Sequence, residues 1–282
     1  MRPSILEFLR GHDLEVLALL FPTKGVIYAV AMAAVVFLFL RRCRQTELPL
    51  DRALPATAIS ALAGIMGARI YHLLSADGLA LEPLALITSS GVGSWGACIG
   101  GLLGMVLYFG LVKANPLPYL DVAAGVAPLA PLIARWGCLL AGCDFGRVTS
   151  LPWGIHYPIG SQVFHEHVAS GVVSPDSAQS LAVHPLPAYL SLNALLLFLI
   201  VSAVWHRTRH RPGTTLTVAC VLYGSTRFFW EFLRDPAVGG TVSGLSLLQI
   251  TALVGIGIGG VSGVMTLRRG VAQSGATNEL RL

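Results

Sequence analysis

The sequence predicts an all-α polytopic membrane protein with seven transmembrane helices and a small periplasmic head between spans four and five. Three observations carry that prediction. Apolar residue types make up 54% of the 282 residues, and the mean hydropathy is +0.71. Only 12% of residues are charged, about half the usual share in a soluble domain. Short basic clusters follow alternate apolar runs, where they act as orientation signals. Residues 1–282 read as a single transmembrane domain, with 144–185 as the head segment.

A spanning helix needs about 20 mostly apolar residues. Runs of this kind lie at 23–40, 53–74, 92–112, 118–140, 186–204, 214–233 and 245–267. Ahead of them, 4–20 carries a weaker stripe interrupted by Arg10, His12, Asp13 and Glu15, which reads as an interfacial helix. The opening residues lack the pattern of a cleaved signal peptide. Arg41, Arg42 and Arg44 follow the first span and Lys113 the third. Arg207, Arg209 and Arg211 follow the fifth, and Arg268 and Arg269 the seventh. All four clusters fall on one side, so the positive-inside rule puts the N-terminus outside and the C-terminus in the cytoplasm. The net charge of +5 is accounted for by these clusters and does not suggest nucleic acid. Five scattered cysteines are too few for a disulfide framework.

That topology sorts the remaining arginines. Arg69 falls near the outer end of span two, Arg135 near that of span four, and Arg227 and Arg234 near that of span six. Arg147 begins the head. A guanidinium is charged at every cellular pH, and placing one at membrane depth costs about 2.5 kcal/mol or more. A lone arginine there reads as an interface anchor. Several at one depth, against the positive-inside bias, point to a site for an anionic group in the outer leaflet. Within span six, Arg227, Glu231 and Arg234 are spaced to share one helical face, with Glu231 holding the two guanidiniums apart.

His184-Pro185 opens span five, with Tyr189 about one turn on. The histidine fits a general base or a phosphate donor, and more simply an interface residue at a helix start. Cys138, Cys143, Asp144, His165 and His167 are ligand types, but their spacing is not that of a metal site, and neither a metal nor another cofactor is expected. A Cys138–Cys143 disulfide has no further support in the sequence. Gly64, Gly67 and Ala68, the glycines from Gly91 to Gly104, and those from Gly255 to Gly263 read as helix-packing residues. The density of glycine in span three also leaves open a local unwinding beside a cavity.

Taken in order, these segments resemble the prolipoprotein diacylglyceryl transferase family. Gly67-Ala-Arg69-Ile70 is similar to its Gly-Gly-Arg segment, and Gly91–Gly101 to its glycine-rich third span. Arg135-x-Gly137-x4-Gly142-x3-Gly146-Arg147-Val-Thr149 is similar to its signature block. His184-Pro185-x3-Tyr189 and Tyr223-Gly-x2-Arg227-x3-Glu231-Phe-x-Arg234-x-Pro236 are similar to its fifth- and sixth-span motifs. The resemblance implies a bacterial inner-membrane enzyme of lipoprotein biosynthesis. Such an enzyme transfers the diacylglyceryl group of phosphatidylglycerol to the lipobox cysteine in the signal-peptide region of a prolipoprotein, releasing glycerol phosphate. It implies that Arg135 and Arg227 are catalytic, with His184 placed to take a proton, and that Arg69, Arg147, Glu231, Arg234 and Tyr189 bind substrate. This chain departs from the family at Lys24, Trp95, Cys138, Ala141, Cys143 and Leu190, where the family has tyrosine, histidine, asparagine, asparagine, glutamate and glutamate. The phosphate side of the resemblance is therefore fuller than the acceptor side, which points to the lipobox cysteine or a related acceptor. Its rivals are a non-catalytic protein that binds or moves phospholipid and, with less support, a transporter.

Overall fold

The computed structural model describes residues 23–75, 94–235, 241–242, 245–246 and 249–264. The interfacial helix read at 4–20, Gly91, Gly93 and the basic pair Arg268 and Arg269 lie outside the described residues, as do the side chains of Lys24 and Trp95. Helices occupy each of the seven apolar runs. They are α1 (Thr23–Gln45), α2 (Leu50–Ser75), α3 (Ser94–Leu111), α4 (Leu117–Val126), α5 (Leu129–Ala141), α6 (Gln162–Ala169), α7 (Leu186–Thr208), α8 (Thr214–Trp230) and α9 (Gln249–Val264). A 3₁₀ turn, Glu231–Leu233, extends α8, and the two-residue strands Thr241–Val242 and Leu245–Ser246 pair antiparallel. Among the described residues, Gly25–Gln45, Leu50–Tyr71, Leu117–Ala141 and Leu186–Thr208 are each long and apolar enough to cross a membrane, and α3 and α9 are shorter apolar helices. The protein is a helical, multi-pass membrane protein.

The chain forms two compact units, 38–122 and a second made of 1–37 with 123–282. The core of the first is the α2–α3 hairpin. Ala63 and Gly67 on α2 face Gly96 and Gly100 on α3 so closely that a Cβ on Gly67, Gly96 or Gly100 would fall on a carbonyl oxygen of the other helix. Ser60 Oγ donates to Gly101 O at 2.8 Å across the same seam. The described part of the third span is an unbroken helix, so its glycines serve backbone approach, and the local unwinding left open by its composition does not occur there.

In the second unit the fourth apolar run departs from the continuous helix expected over 118–140. It breaks after Val126 and restarts at Leu129. Pro128 has no N–H to give to Ala124 and its ring crowds that carbonyl; Pro131 likewise gives nothing to Ala127. Helix α7 supplies donors along this segment: Ser202 Oγ to Gly125 O at 3.3 Å and Ser191 Oγ to Leu132 O at 2.7 Å. Such side-chain bonds let a proline-broken helix persist in an apolar setting. In α9, Gly259 and Gly263 pack against α8, whereas no described atom lies within 4 Å of a Cβ built on Gly255, Gly257 or Gly260. The packing role read for the glycines of the seventh span thus holds for some of them only.

Residues 142–185 fold over the end of α5. Their core is Phe145, Tyr157, Val163 and Val183, with Ile155 against it. Gly142 ends α5 in the left-handed region (φ 64°), its N–H turned back on the Cys138 and Leu139 carbonyls. A side chain there would be strained and would strike the Tyr157 ring. Tyr157 donates to Leu139 O at 3.0 Å, which ties the segment to α5. Burial above all, with the Cys143 and Cys138 thiols adding to it, pushes that phenol up to about 12, so it stays a donor. Ser161 caps α6 by accepting from Phe164 N at 3.2 Å.

Candidate active site

At the end of α8 the helix tightens, and the three charges of the sixth-span motif come together as their spacing predicts. Glu231 Oε2 lies 3.1 Å from Arg227 Nη2 and 3.2 Å from Arg234 Nε. All three residues are buried. Arg234 also pairs with Asp144, and Asp144 with Arg135. The charges alternate from Arg227 through Glu231, Arg234 and Asp144 to Arg135. Three guanidiniums share two carboxylates, which leaves one positive charge uncompensated. Arg227 Nη1 is buried and has no hydrogen-bond partner among the described residues. A buried donor in that condition calls for an acceptor, and an anion supplies both the acceptor and the missing charge.

Arg227 and Arg135 line a cleft. Its walls are Pro128, the α5 residues Pro131 and Arg135, the α7 residues Leu190, Asn193, Ala194 and Leu197, and the α8 residues Tyr223, Thr226 and Arg227. About 360 Å³ of empty space lies between them, part of it open to the outside. Two arginines from two helices thus face one otherwise mainly apolar cleft, the environment in which a charge-assisted bond to an oxyanion is strong.

Arg147 is set by its backbone. Gly146 N donates to His184 O at 3.1 Å, Arg147 N to Leu233 O at 3.0 Å, and His184 N to Arg147 O at 3.0 Å. A Cβ on Gly146 would collide with His184 and Leu233 O, so the signature strand can pass between these segments only with glycine there. The Arg147 side chain is exposed, and its Nε donates to Arg234 O at 3.3 Å. His184 and Tyr189 form a second group, with His184 Nδ1 3.4 Å from the Tyr189 hydroxyl. That hydroxyl accepts from Trp153 Nε1 at 2.7 Å, and the Tyr189 and Trp230 rings lie 5.8 Å apart. Arg69 lies on α2 in the other unit, half-buried and next to Ala68.

Cys138 and Cys143 are not joined by a disulfide. Cys138 Sγ lies 3.2 Å from Tyr28 Oη, and Cys143 Sγ is turned to Cys138 O at 3.7 Å. His165 is exposed, and His167 is buried edge-on to Phe145. Among the described residues no three His, Cys, Asp or Glu side chains converge as a metal set, and Asp144 is held by two arginines.

Three features of the site go beyond the sequence reading. Asp144, taken there only as a metal-ligand type, joins Arg135 to Arg234, and its left-handed backbone (φ 62°) sets that position. Aspartate tolerates this conformation better than most residues, and its place three residues before Arg147 was the available signal. Tyr28 meets Cys138 from 110 positions away, and Asn193 meets Thr226 across the cleft.

A family model described as prolipoprotein diacylglyceryl transferase matches residues 16–265. The chain is similar to phosphatidylglycerol–prolipoprotein diacylglyceryl transferase 2 of Clostridium perfringens, with 30% identity over 249 residues, covering 86% of this chain and 90% of the relative. The corresponding protein of Thermosynechococcus vestitus is 26% identical over 253 residues, covering 88% and 90%. That of Clostridium tetani is 28% identical over 239 residues, covering 83% and 89%.

Proposed function

The chain belongs to the prolipoprotein diacylglyceryl transferase family, and from that premise we propose that its arginine cleft receives phosphatidylglycerol and that the protein transfers the diacylglyceryl group to a prolipoprotein cysteine. The observation that carries the reading is that Arg227, whose buried Nη1 has no hydrogen-bond partner among the described residues, lines the same cleft as Arg135.

In this reaction the cysteine sulfur attacks the glyceryl carbon that bears the phosphate. A carbon–sulfur bond forms, the carbon–oxygen bond to phosphate breaks, and glycerol phosphate leaves with the electron pair. Negative charge grows on the departing phosphate, where Arg135 and Arg227 stabilise it; one preorganised donor of this kind is worth about 100- to 1000-fold in rate. Glu231 and Asp144 hold the guanidiniums in place, and Arg234 and Arg147 complete the positive rim. The thiol has an ordinary pKa near 8.5 and is a nucleophile only as thiolate. His184 takes its proton: the Tyr189 hydroxyl 3.4 Å from Nδ1 holds the ring, and in the tautomer protonated on Nδ1 the acceptor is Nε2.

The seven helical runs cross the bacterial inner membrane with the N-terminus outside, which puts 142–185 and the arginines on the periplasmic side, where the signal-peptide region of the acceptor is presented. The basic last turn of α1 (Arg42 and Arg44) and the basic residues after α7 support that orientation. A reporter fused after Arg211 should read cytoplasmic, and one inserted near Ser174 periplasmic.

The deciding experiment supplies the reconstituted protein with phosphatidylglycerol labelled in the glyceryl carbons of its diacylglyceryl group and a peptide carrying a lipobox cysteine. Label should move to the peptide in a thioether resistant to mild base. One specific observation favours a second reading, a phospholipid binder without transfer: at Cys138 the family asparagine is replaced by a thiol held by Tyr28. Saturable phosphatidylglycerol binding with no labelled peptide would establish that reading instead.

A further inference from the structure

The arginine cleft contains a neutral polar pair that the phosphate chemistry does not use. Asn193 on α7 reaches across to Thr226 on α8, with Nδ2 3.3 Å from Oγ1. Thr226 has one hydroxyl proton, and it is directed back along its own helix, to Leu222 O at 3.0 Å and Tyr223 O at 3.2 Å. The threonine can therefore only accept from its neighbour, and Asn193 must present its amino group to it. This fixes the amide orientation. One N–H is held by Thr226, and a second N–H remains on an amide that lines the cleft beside Leu190 and Leu197. A donor in so apolar a wall is unfavourable unless something in the cleft accepts from it.

The depth of the pair indicates the acceptor. The Arg227 guanidinium is held by Glu231, on the side of the 142–185 segment, whereas the Thr226 hydroxyl turns the other way, to Leu222 O and Tyr223 O. Asn193 lies on α7 three residues beyond Leu190, moving away from that segment. The Asn193–Thr226 pair thus lies on the far side of that charge from the 142–185 segment. In a glycerophospholipid the ester carbonyls likewise lie beyond the phosphate, on the acyl-chain side.

Resting on the donor assignment made above, we propose that Asn193, oriented by Thr226, donates its remaining amide N–H to an ester carbonyl of the bound diacylglyceryl group and selects ester-linked over ether-linked donors. An ether oxygen at the same position is a far weaker acceptor than a carbonyl and leaves the N–H unsatisfied.

The test compares diacyl phosphatidylglycerol with its dialkyl ether analogue, using the full chain reconstituted in vesicles with a lipobox peptide and reading the ratio of initial transfer rates. Wild type should favour the ester by about tenfold, the worth of one neutral hydrogen bond. Asn193→Leu, similar in size and without N–H, should bring the ratio near one. Thr226→Val, which frees the amide to turn, should give an intermediate ratio. A ratio within one variant does not depend on the folded fraction, so partial misfolding does not mimic the effect. Equilibrium binding of the two lipids to the detergent-solubilised protein reads the same selectivity without chemistry. If wild type transfers neither lipid but binds the ester better in an Asn193-dependent way, the transfer reading fails and this inference stands. If Asn193→Leu keeps the wild-type ratio in both assays, the inference is wrong.

Discussion

The α2–α3 hairpin and the arginine network are both tightly built, but by opposite means. In the hairpin, Gly67, Gly96 and Gly100 matter for what they lack, because each backbone occupies the space a side chain would need. In the network, Arg135, Asp144, Arg234, Glu231 and Arg227 matter for charge, and each is defined by the partner of opposite sign beside it. The difference separates two kinds of constraint. A volume constraint is satisfied within the protein and is purely structural. The charge constraint is left one hydrogen-bond partner short at Arg227 among the described residues, as a site for an anion would be.

The sharpest way to break the comparison is at Arg227. Arg227→Ala should lower label transfer to a lipobox peptide by about 100- to 1000-fold, while protease accessibility shows the protein inserted as before. Arg227→Lys should recover only a small part, because a lysine brings a point charge without the planar fork that meets two phosphate oxygens. Full transfer by the lysine variant would show that charge alone suffices and would remove the geometric half of the argument.

The hairpin should respond to volume instead. Gly96→Ala puts a methyl group on the Gly67 carbonyl and the Tyr71 Cβ, and the two helices must part to admit it. Overpacking of this kind costs about 1–3 kcal/mol, measurable as a lower unfolding midpoint in detergent. Unchanged stability would mean that the seam is looser than its backbone contacts indicate.

How much of this was legible in the sequence follows the same division. Apolar runs and the Arg227–Glu231–Arg234 spacing are local properties of one segment, so each apolar run contains helix and the shared glutamate appears as read. His184 and Tyr189, five residues apart, also meet. The interruption at Pro128 was missed because prolines are common in apolar helices when a neighbour supplies donors, and Ser191 and Ser202 lie on a helix far along the chain. Asp144 escaped notice for a related reason. Its partner Arg234 is ninety positions on, and its direction depends on a left-handed turn that no periodicity announces. Pairings made by tertiary folding, such as Tyr28 with Cys138, leave no spacing to read.

A smaller effect should appear beside the network. His167 is buried against Phe145, and neither of its ring nitrogens has a hydrogen-bond partner among the described residues. Burial lowers its pKa from the ordinary imidazole value, with Asp235 opposing in part. The unfolded chain then binds the proton more readily than the folded one. Stability is therefore full above about pH 6.5, the ordinary value, and falls as pH drops from there toward the lowered folded value. His167→Leu should flatten that limb in thermal unfolding followed from pH 7.5 to 5, leaving only the slope due to other groups. A slope unchanged by the substitution would place the pH sensitivity elsewhere.

The smallest expected effect tests whether a glycine in a membrane helix implies packing at all. Gly257 and Gly259 lie two residues apart on α9 and are chemically identical, yet their surroundings differ. A Cβ on Gly259 would lie 2.8 Å from Val221 Cγ2 and 3.1 Å from Cys220 Cβ, whereas one on Gly257 has no described atom within 4 Å. Alanine is favoured over glycine inside a helix by about 1 kcal/mol, chiefly because glycine loses more backbone freedom on folding. Gly257→Ala should therefore leave transfer unchanged and raise the unfolding midpoint slightly. Gly259→Ala should forfeit that gain or reverse it, since Val221 must shift to admit the methyl group. The two variants share one helix and one chemical change, so their difference isolates the neighbour. Equal destabilisation by both would mean that something packs on the Gly257 side of α9, and that face would then join the volume-limited region rather than stand as a contrast to it.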